Sequence, residues 1–178
     1  TGKEIEKMAF ELDWNELLTD TPIRQNLPHF QKKDTGKYQM EFGIDGLKPI
    51  APLGYIHGQK ILLELSQLFG QHELIHSFDD LKIPFRCIAS DIVTGNEVVF
   101  RDGSLTEAVR ASITIPTIFS PVIYGDSLLV DGGLINNLPV DIAIQMGADI
   151  ILAVDTGTPK KNRKQLKNAM DILEQVIS

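Results

Sequence analysis

Apolar residues recur at helical spacing near both ends of the chain and again between residues 59 and 69. The first eighteen residues, TGKEIEKMAFELDWNELL, combine this spacing with capping boxes that begin at Thr1 and Asp13. A second helix is predicted over residues 59–69, and Gly70 ends it. The last residues, NAMDILEQVIS, continue a helical pattern up to Ser178. Because the pattern is still running there, and the chain starts without Met, we interpret it as a fragment cut at both ends.

Alternating or continuous apolar runs predict strands, most of them in the second half of the chain. YQMEFGI alternates, and an Asp-Gly pair after it offers a turn. IPFRCIASDIV and EVVF lie on either side of the turn TGN, and PVIY and SLLV lie on either side of the turn GD. DIILAVD is almost purely apolar, as strands inside a parallel sheet are. Residues 81–157 therefore form the predicted core sheet.

Two helices separate these predicted strands. SLTEAVRASITI has a capping box formed by Ser104 and Glu107, and Pro116 ends it. The other helix has Pro139 at its first position and Gly147 beyond its last. Strand, helix and strand with short connections make a βαβ unit, so the predicted class is α/β.

Composition narrows the function classes. The 178 residues are 43% hydrophobic and 23% charged, which is ordinary for a soluble globular domain. A net charge of −7 argues against a nucleic-acid-binding protein. The single cysteine, Cys87, lies in an apolar run and is expected to be a buried reduced thiol rather than a reactive one.

Three aspartates lie at or near predicted strand ends, where ligands of α/β sheets gather. They are Asp91, Asp131 and Asp155. A turn or capping role explains the first and the last. Asp131 differs because Gly132 and Gly133 follow it, and residues without Cβ atoms can adopt positive φ and allow a substrate or chain segment to approach the carboxylate. Such access is what a general base requires.

Two short motifs suggest other chemistries. HELIH places His72, Glu73 and His76 in the H-E-x-x-H pattern of zinc proteases, and a zinc metalloprotease is an alternative. Gly70 has just ended a helix, however, and the third histidine of the longer metzincin motif is missing. The segment AVDTGT around Asp155 is similar to the aspartic-protease loop, but that site belongs to an all-β scaffold. We expect no metal and no cofactor.

The segment from IPFRCIASD through AVRAS, the PV strand, DGG and NNLPVD to AVDTG resembles the C-terminal half of a bacterial patatin-like phospholipase domain. The match is dense over residues 78–157 and continues loosely to the start of the chain. It implies a three-layer α/β/α fold with a mostly parallel central sheet, present here in N-terminally truncated form. Residues 1–80 would be a helical, variable part and residues 158–178 a basic loop with the start of a C-terminal helix.

The resemblance implies a serine lipid acyl hydrolase that uses a Ser–Asp dyad without histidine. The Asp of D-G-G is the dyad member, which here is Asp131, with Gly132 and Gly133 as its backbone support. The nucleophile of the family lies on a G-x-S-x-G elbow, which is missing from these residues, as is the glycine-rich oxyanion loop. Both would precede Thr1. The parent protein is then an enzyme and this chain alone inactive; a patatin scaffold that has lost its serine is the alternative.

The implied partner is a phospholipid or other acyl lipid. TPKKNRKQLKN carries five of the 17 basic residues and could meet anionic headgroups, although a solvated loop explains it as well. Contact with a membrane surface is therefore a possible role, and binding of nucleic acid is not expected. The compartment stays open between cytoplasm, membrane periphery and linkage to an outer-membrane barrel. The sequence does not identify the lipid class or the acyl position.

Overall fold

The computed structural model describes residues 2–20, 43–45, 48–50, 53–72, 75–157, 159–167, 171–172 and 175, with residues 43–45 and 48–50 described by their backbone only. The helices named from the described ranges are α1 (Gly2–Glu11), α2 (Trp14–Leu17), α3 (Gln59–Phe69), α4 (Leu105–Ser112) and α5 (Val140–Gln145), and residues 171, 172 and 175 are helical as well. The strands are β1 (Gly43–Asp45), β2 (Lys48–Ile50), β3 (Gly54–Ile56), β4 (Cys87–Asp91), β5 (Glu97–Phe100), β6 (Thr117–Phe119), β7 (Val122–Tyr124) and β8 (Ser127–Asp131).

The largest described sheet has four strands in the order β5-β4-β8-β7, and all three pairings are antiparallel. Two of these pairings are hairpins, because short turns join β4 to β5 and β7 to β8. In the turn between β7 and β8, Gly125 has a φ of 58°. The central pairing places Ala89 of β4 opposite Asp131 of β8. This register makes β8 a central strand and places its last residue beside the middle of β4.

Two smaller sheets complete the described strands. β1 and β2 form an antiparallel pair, whereas β3 and β6 run parallel, with Ile56 opposite Phe119. The segment between these parallel strands contains α3, β4, β5 and α4, so β3 and β6 are joined by a long crossover. The α/β class is confirmed. The predicted parallel order is observed in the β3–β6 pair, whereas the larger sheet is antiparallel both in its two hairpins and in the long-range β4–β8 pairing.

The hydrophobic core lies between α4 and the four-stranded sheet. α4 contacts β4 and β8 on one side and α3 on another. Its first turn is capped as predicted, since the Ser104 hydroxyl accepts a hydrogen bond from Glu107 N–H at 3.1 Å. The buried cluster consists of Phe78, Ala89, Phe100, Leu105, Ala108, Ala111 and Leu129. The two alanines of α4 are fully buried, which lets the helix axis approach the sheet closely.

The ends of α5 follow from its sequence. The helix was predicted to begin at Pro139. It begins at Val140, so Pro139 is the N-cap residue immediately before it. At the other end Gly147 has a φ of 85°, its N–H bonds Ile144 O at 2.9 Å and Ala148 N–H bonds Ala143 O at 3.2 Å. These two bonds are the Schellman arrangement, which confirms Gly147 as the residue that ends the helix.

The predicted strand DIILAVD is wrong for this structure, since residues 149–157 are described and contain no strand. A strand requires a neighbour for its backbone groups, and none of the described strands pairs with this segment. Ile150 and Leu152 are 91% and 89% exposed, so their apolar side chains are not covered.

Several predictions lie outside the described residues: the capping box at Thr1, the turn at Gly46, residues 38–42 of YQMEFGI and most of NAMDILEQVIS. Within the described part of the chain, no helix is both long enough and apolar enough to cross a membrane.

Candidate active site

Asp131 is the last residue of β8 and is held by its backbone and its side chain. Its N–H donates to Thr114 O at 2.8 Å, which ties the end of β8 to the turn after α4. One carboxylate oxygen, Oδ1, accepts from Gly133 N–H at 2.8 Å. The side chain is partly buried. Within the described residues Oδ2 accepts no hydrogen bond, so one oxygen of the carboxylate stays available to another group.

Gly132 and Gly133 open a short 3-10 turn over residues Gly132–Leu134. The positive φ that the sequence suggested for them is not observed: among the described glycines it occurs at Gly58, Gly95, Gly103, Gly125 and Gly147. Gly132 is required for another reason. A Cβ atom on it would lie 2.2 Å from Ile88 O and 2.7 Å from Ile88 C, closer than any side chain allows. The glycine therefore lets the D-G-G turn lie directly on the backbone of β4.

An open pocket of about 410 Å³ adjoins this turn. The start of β4, the end of α4 and the loop before α5 form its walls. The lining residues are Phe85, Arg86, Cys87, Ile88, Val109, Ser112, Ile113, Asp131, Gly132, Gly133, Asn136, Asn137 and Pro139. Most of these walls are apolar, with the Asp131 carboxylate as the acidic group in the lining.

Burial raises the pKa of Asp131 above its ordinary value of 3.8, and the hydrogen bond from Gly133 N–H offsets part of this effect. A partly desolvated carboxylate is a stronger base than an exposed one. Burial also raises the pKa of the Cys87 thiol to about 12. Cys87 is therefore protonated and inert at neutral pH, in agreement with the sequence expectation of a reduced structural thiol.

Asp91 and Asp155 have different surroundings. Asp91 is 2% exposed and accepts hydrogen bonds from four groups: Val93 N–H, the hydroxyls of Thr94 and Ser127, and Leu128 N–H. It joins the turn after β4 to the start of β8, which is a structural role. Asp155 is exposed, and its Oδ1 accepts from Gly157 N–H at 2.8 Å in a local turn. The expected turn or capping role is confirmed for both as a turn role, and Asp131 is the one of the three that lines the pocket.

The zinc motif is only partly within the described residues, since Glu73 lies outside them. His72 lies in the turn that follows α3, and His76 lies in a bend. The two histidines therefore do not share the helix that H-E-x-x-H requires. In the described part of the chain, no three His, Cys, Asp or Glu side chains are grouped in a way that could hold a metal ion.

The sequence analysis overlooked two buried polar residues beside this site. Arg110 and Thr114 are 4% and 0% exposed, and Thr114 O is the acceptor for Asp131 N–H. Their signal in the sequence is a pair of polar residues four positions apart on the otherwise buried face of AVRASIT.

Comparison with known proteins gives a family context for this geometry. Residues 1–144 match the profile of the family described as "Patatin-like phospholipase". The chain is 44% identical over 71 residues to an uncharacterized NTE family protein of Mycobacterium tuberculosis (strain ATCC 25618 / H37Rv), over 40% of this chain and 12% of that protein. It is 36% identical over 111 residues to mouse (Mus musculus) patatin-like phospholipase domain-containing protein 7, over 61% of this chain and 8% of that protein.

A third relative is human (Homo sapiens) patatin-like phospholipase domain-containing protein 6, which is 43% identical over 82 residues, 45% of this chain and 6% of that protein. The matched regions thus span only 6–12% of the length of these curated relatives.

Proposed function

This chain belongs to the patatin-like phospholipase family, a family of lipid hydrolases, and on that premise we propose that its parent protein hydrolyses acyl esters of lipids with a Ser–Asp dyad in which Asp131 is the general base. The partner serine lies outside these residues, because the 178-residue sequence contains no G-x-S-x-G. The observation that carries the proposal is the partly buried carboxylate of Asp131, which faces an apolar pocket with one oxygen free of described hydrogen bonds.

The carboxylate can perform both halves of an acyl transfer. Asp131 accepts the serine hydroxyl proton while the serine oxygen bonds to the ester carbonyl carbon. The carboxyl group then gives this proton to the alcohol oxygen as its bond to the acyl carbon breaks. Water then attacks the acyl-serine, and Asp131 takes the proton of this water. Asp131 gives that proton to the serine oxygen as the bond between the serine oxygen and the acyl carbon breaks and the fatty acid leaves. Every proton that Asp131 accepts is returned within the cycle.

The raised pKa of Asp131 supports this role. An exposed aspartate is a weak base at neutral pH, since its pKa lies near 3.8. Burial brings the pKa nearer to neutral, while the bond from Gly133 N–H keeps the carboxylate oriented. Activity is therefore expected to require the ionised form and to fall as pH decreases through this raised pKa.

The walls of the pocket favour a lipid as the source of the ester. Phe85, Ile88, Val109 and Ile113 present apolar side chains beside the carboxylate. An acyl chain fits such walls because transfer of each CH₂ group out of water contributes about 0.8 kcal/mol. Phospholipids or other acyl lipids, met at a membrane surface, are then the substrates.

The test is Asp131→Asn in the full-length protein, because the amide keeps the shape of the side chain but cannot take a proton from serine. General-base assistance is typically worth about 10²–10⁴-fold in rate, so ester hydrolysis should fall by at least that order. Asp155→Asn is the matched control, since Asp155 does not line the pocket and its Oδ1 accepts from Gly157 N–H in a local turn. Circular dichroism should be the same for both variants. Near-normal turnover of Asp131→Asn would overturn the assignment.

The absence of an elbow serine from these residues also favours a second candidate, a patatin scaffold without catalysis. The sequence that precedes Thr1 in the parent protein decides between the two. A G-x-S-x-G motif there supports the hydrolase, and its absence supports the scaffold. In either case the 178 residues alone are not expected to hydrolyse esters.

A further inference from the structure

Arg110 on α4 carries a positive charge into the interior of the protein. It is 4% exposed, and burial lowers its pKa from the ordinary value, an effect that the negative charge of Asp20 opposes. Among the described carboxylates, none forms an ion pair with this guanidinium. Asp20 supplies a counter-charge at a distance, since its carboxylate accepts from His57 N–H and Gly58 N–H and forms no ion pair with the guanidinium. The buried cation therefore loses its hydration without the full attraction of a direct ion pair, which is costly. Such a residue therefore requires an explanation beyond packing.

Three groups surround the guanidinium. Nη1 donates to the Thr114 hydroxyl, Nη2 donates to His57 O at 3.1 Å, and the ring of Phe119 lies 4.8 Å from the central carbon. The chain makes room for it at Gly58, which has a φ of 75° and where a Cβ atom would lie 2.3 Å from Nη2. The position of the guanidinium is thus fixed by hydrogen bonds to the turn after β3 and to the turn after α4, while the ring of Phe119 covers its face.

Thr114 connects this arrangement to the candidate active site. Its hydroxyl accepts from Arg110 Nη1 and donates to Arg110 O at 2.7 Å, so both of its hydrogen-bonding functions are satisfied. Its carbonyl oxygen accepts from Asp131 N–H at 2.8 Å. The side chain of Thr114 thereby fixes the turn after α4, and the carbonyl of the same residue fixes the backbone of Asp131.

We propose that Arg110 is a positioning residue for Asp131 and acts through Thr114. The inference rests on the proposed function, since it gives Asp131 a reason to be held so closely. The guanidinium locks the Thr114 hydroxyl, the turn after α4 then has one conformation, and its carbonyl sets where β8 ends. The carboxylate of Asp131 follows, because only the Cα–Cβ and Cβ–Cγ bonds can rotate between the backbone that Thr114 holds and the carboxylate oxygens, and Oδ1 is itself bonded to Gly133 N–H.

The first experiment measures kcat and KM separately for three variants of the full-length protein. Thr114→Val keeps the shape of the side chain but removes the acceptor for Arg110. Because a displacement of the Asp131 carboxylate by about 1 Å is expected, kcat should fall about 10- to 100-fold while KM stays unchanged. Thr114→Ser restores the hydroxyl and should restore kcat. Phe119→Leu removes the ring over the guanidinium but leaves both bonds to Thr114, so it lowers stability and should keep kcat.

The second experiment measures hydrogen exchange at single amides and does not depend on activity. In Thr114→Val the Asp131 amide should exchange faster, while the Phe78 and Ile92 amides, which bond Arg101 O and Leu128 O, should exchange as in the wild type. A merely structural role of Arg110 would accelerate all three amides alike. That result, or unchanged protection of the Asp131 amide, would overturn the proposal.

Different results would overturn the Ser–Asp dyad and the positioning role of Arg110. If Asp131→Asn retains activity, the dyad is wrong, yet the exchange of the Asp131 amide still shows whether Thr114 positions that residue. If Asp131→Asn is inactive while Thr114→Val keeps the wild-type kcat, the dyad stands and the positioning role is wrong.

Discussion

At the residue scale, Asp91 and Asp131 show that burial alone does not determine the pKa of a carboxyl group. Asp91 is 2% exposed and Asp131 is only partly buried, yet the pKa of Asp91 is lowered and that of Asp131 is raised. The difference lies in the donors. Asp91 accepts four hydrogen bonds, whereas the described residues give Asp131 one. Donors that favour the ionised form outweigh desolvation at Asp91 and do not at Asp131.

This contrast predicts how stability depends on pH through Asp91. The hydrogen bond from Val93 N–H and those from Thr94, Ser127 and Leu128 hold the pKa of Asp91 below its ordinary value. A lowered folded-state pKa means that Asp91 stabilises the protein above the unfolded-state value of about 3.9, and that this contribution is lost as pH falls through the folded-state pKa. In Asp91→Asn the loss of unfolding free energy should be largest at pH 7 and should shrink below pH 4.

Urea unfolding at pH 7, 4 and 3 measures this difference. Asp155→Asn is the control, because Asp155 is exposed and bonds a single local amide. Equal stability of Asp91→Asn and the wild type at pH 7 would contradict the structural role of Asp91.

Asp131 and Arg110 show which functional residues a sequence pattern can identify. The D-G-G turn identified Asp131 as the residue to test because its chemistry is local: a strand end, a carboxylate and two glycines in succession. Arg110 was not identified, since Thr114 is near it in sequence but its other hydrogen-bond acceptor comes from far along the chain. His57 is 53 residues away. The requirement for glycine at position 58 becomes visible only in the structure, where the Arg110 guanidinium lies against it. Periodicity predicts that a position is buried but not which polar group meets it there.

At the element scale, the patterns that were confirmed are those set by neighbours in sequence. α3 has the predicted bounds, both predicted hairpins form around their turns, and Ser104 and Gly147 begin and end their helices as expected. The pairing of β4 with β8 is different, because it joins residues 38 to 42 positions apart. An apolar run indicates that a strand will be covered, but it does not specify the direction of the strand beside it.

The contact between the D-G-G turn and β4 gives a prediction at this scale. Gly132→Ala places a Cβ atom 2.2 Å from Ile88 O, so the backbone of the turn or of β4 must move. Overpacking of this kind typically costs about 1–3 kcal/mol, and urea unfolding should show a loss in this range. Gly2→Ala is the control, since nothing lies within 4 Å of a Cβ atom there. Equal stability of Gly132→Ala and the wild type would show that the turn does not lie tightly against β4.

At the scale of the whole molecule, the segment of residues 149–155 does not fit its surroundings. Ile150, Leu152 and Val154 are 91%, 89% and 68% exposed, although the run has the composition of a strand covered on both faces. Burial of one such side chain contributes about 1.5–3 kcal/mol, so a partner strand would be strongly favoured. The β3–β6 pair shows that parallel pairing is already part of this fold.

On the proposal that these residues are part of a longer parent protein, we expect residues 149–155 to be covered in that protein and exposed in the 178-residue chain. Leu152→Lys separates the two states. In the 178-residue chain the substitution changes an 89% exposed side chain and should leave the free energy of unfolding almost unchanged. In the full-length protein it should cost at least the lost burial, about 1.5–3 kcal/mol. Urea unfolding of both chains measures the two costs, with Lys160→Ala, at an exposed position of the basic loop, as the control that should be neutral in each. Equal costs of Leu152→Lys in the two chains would mean that the longer protein leaves this segment as exposed as it is here, and that its apolar pattern does not encode a strand.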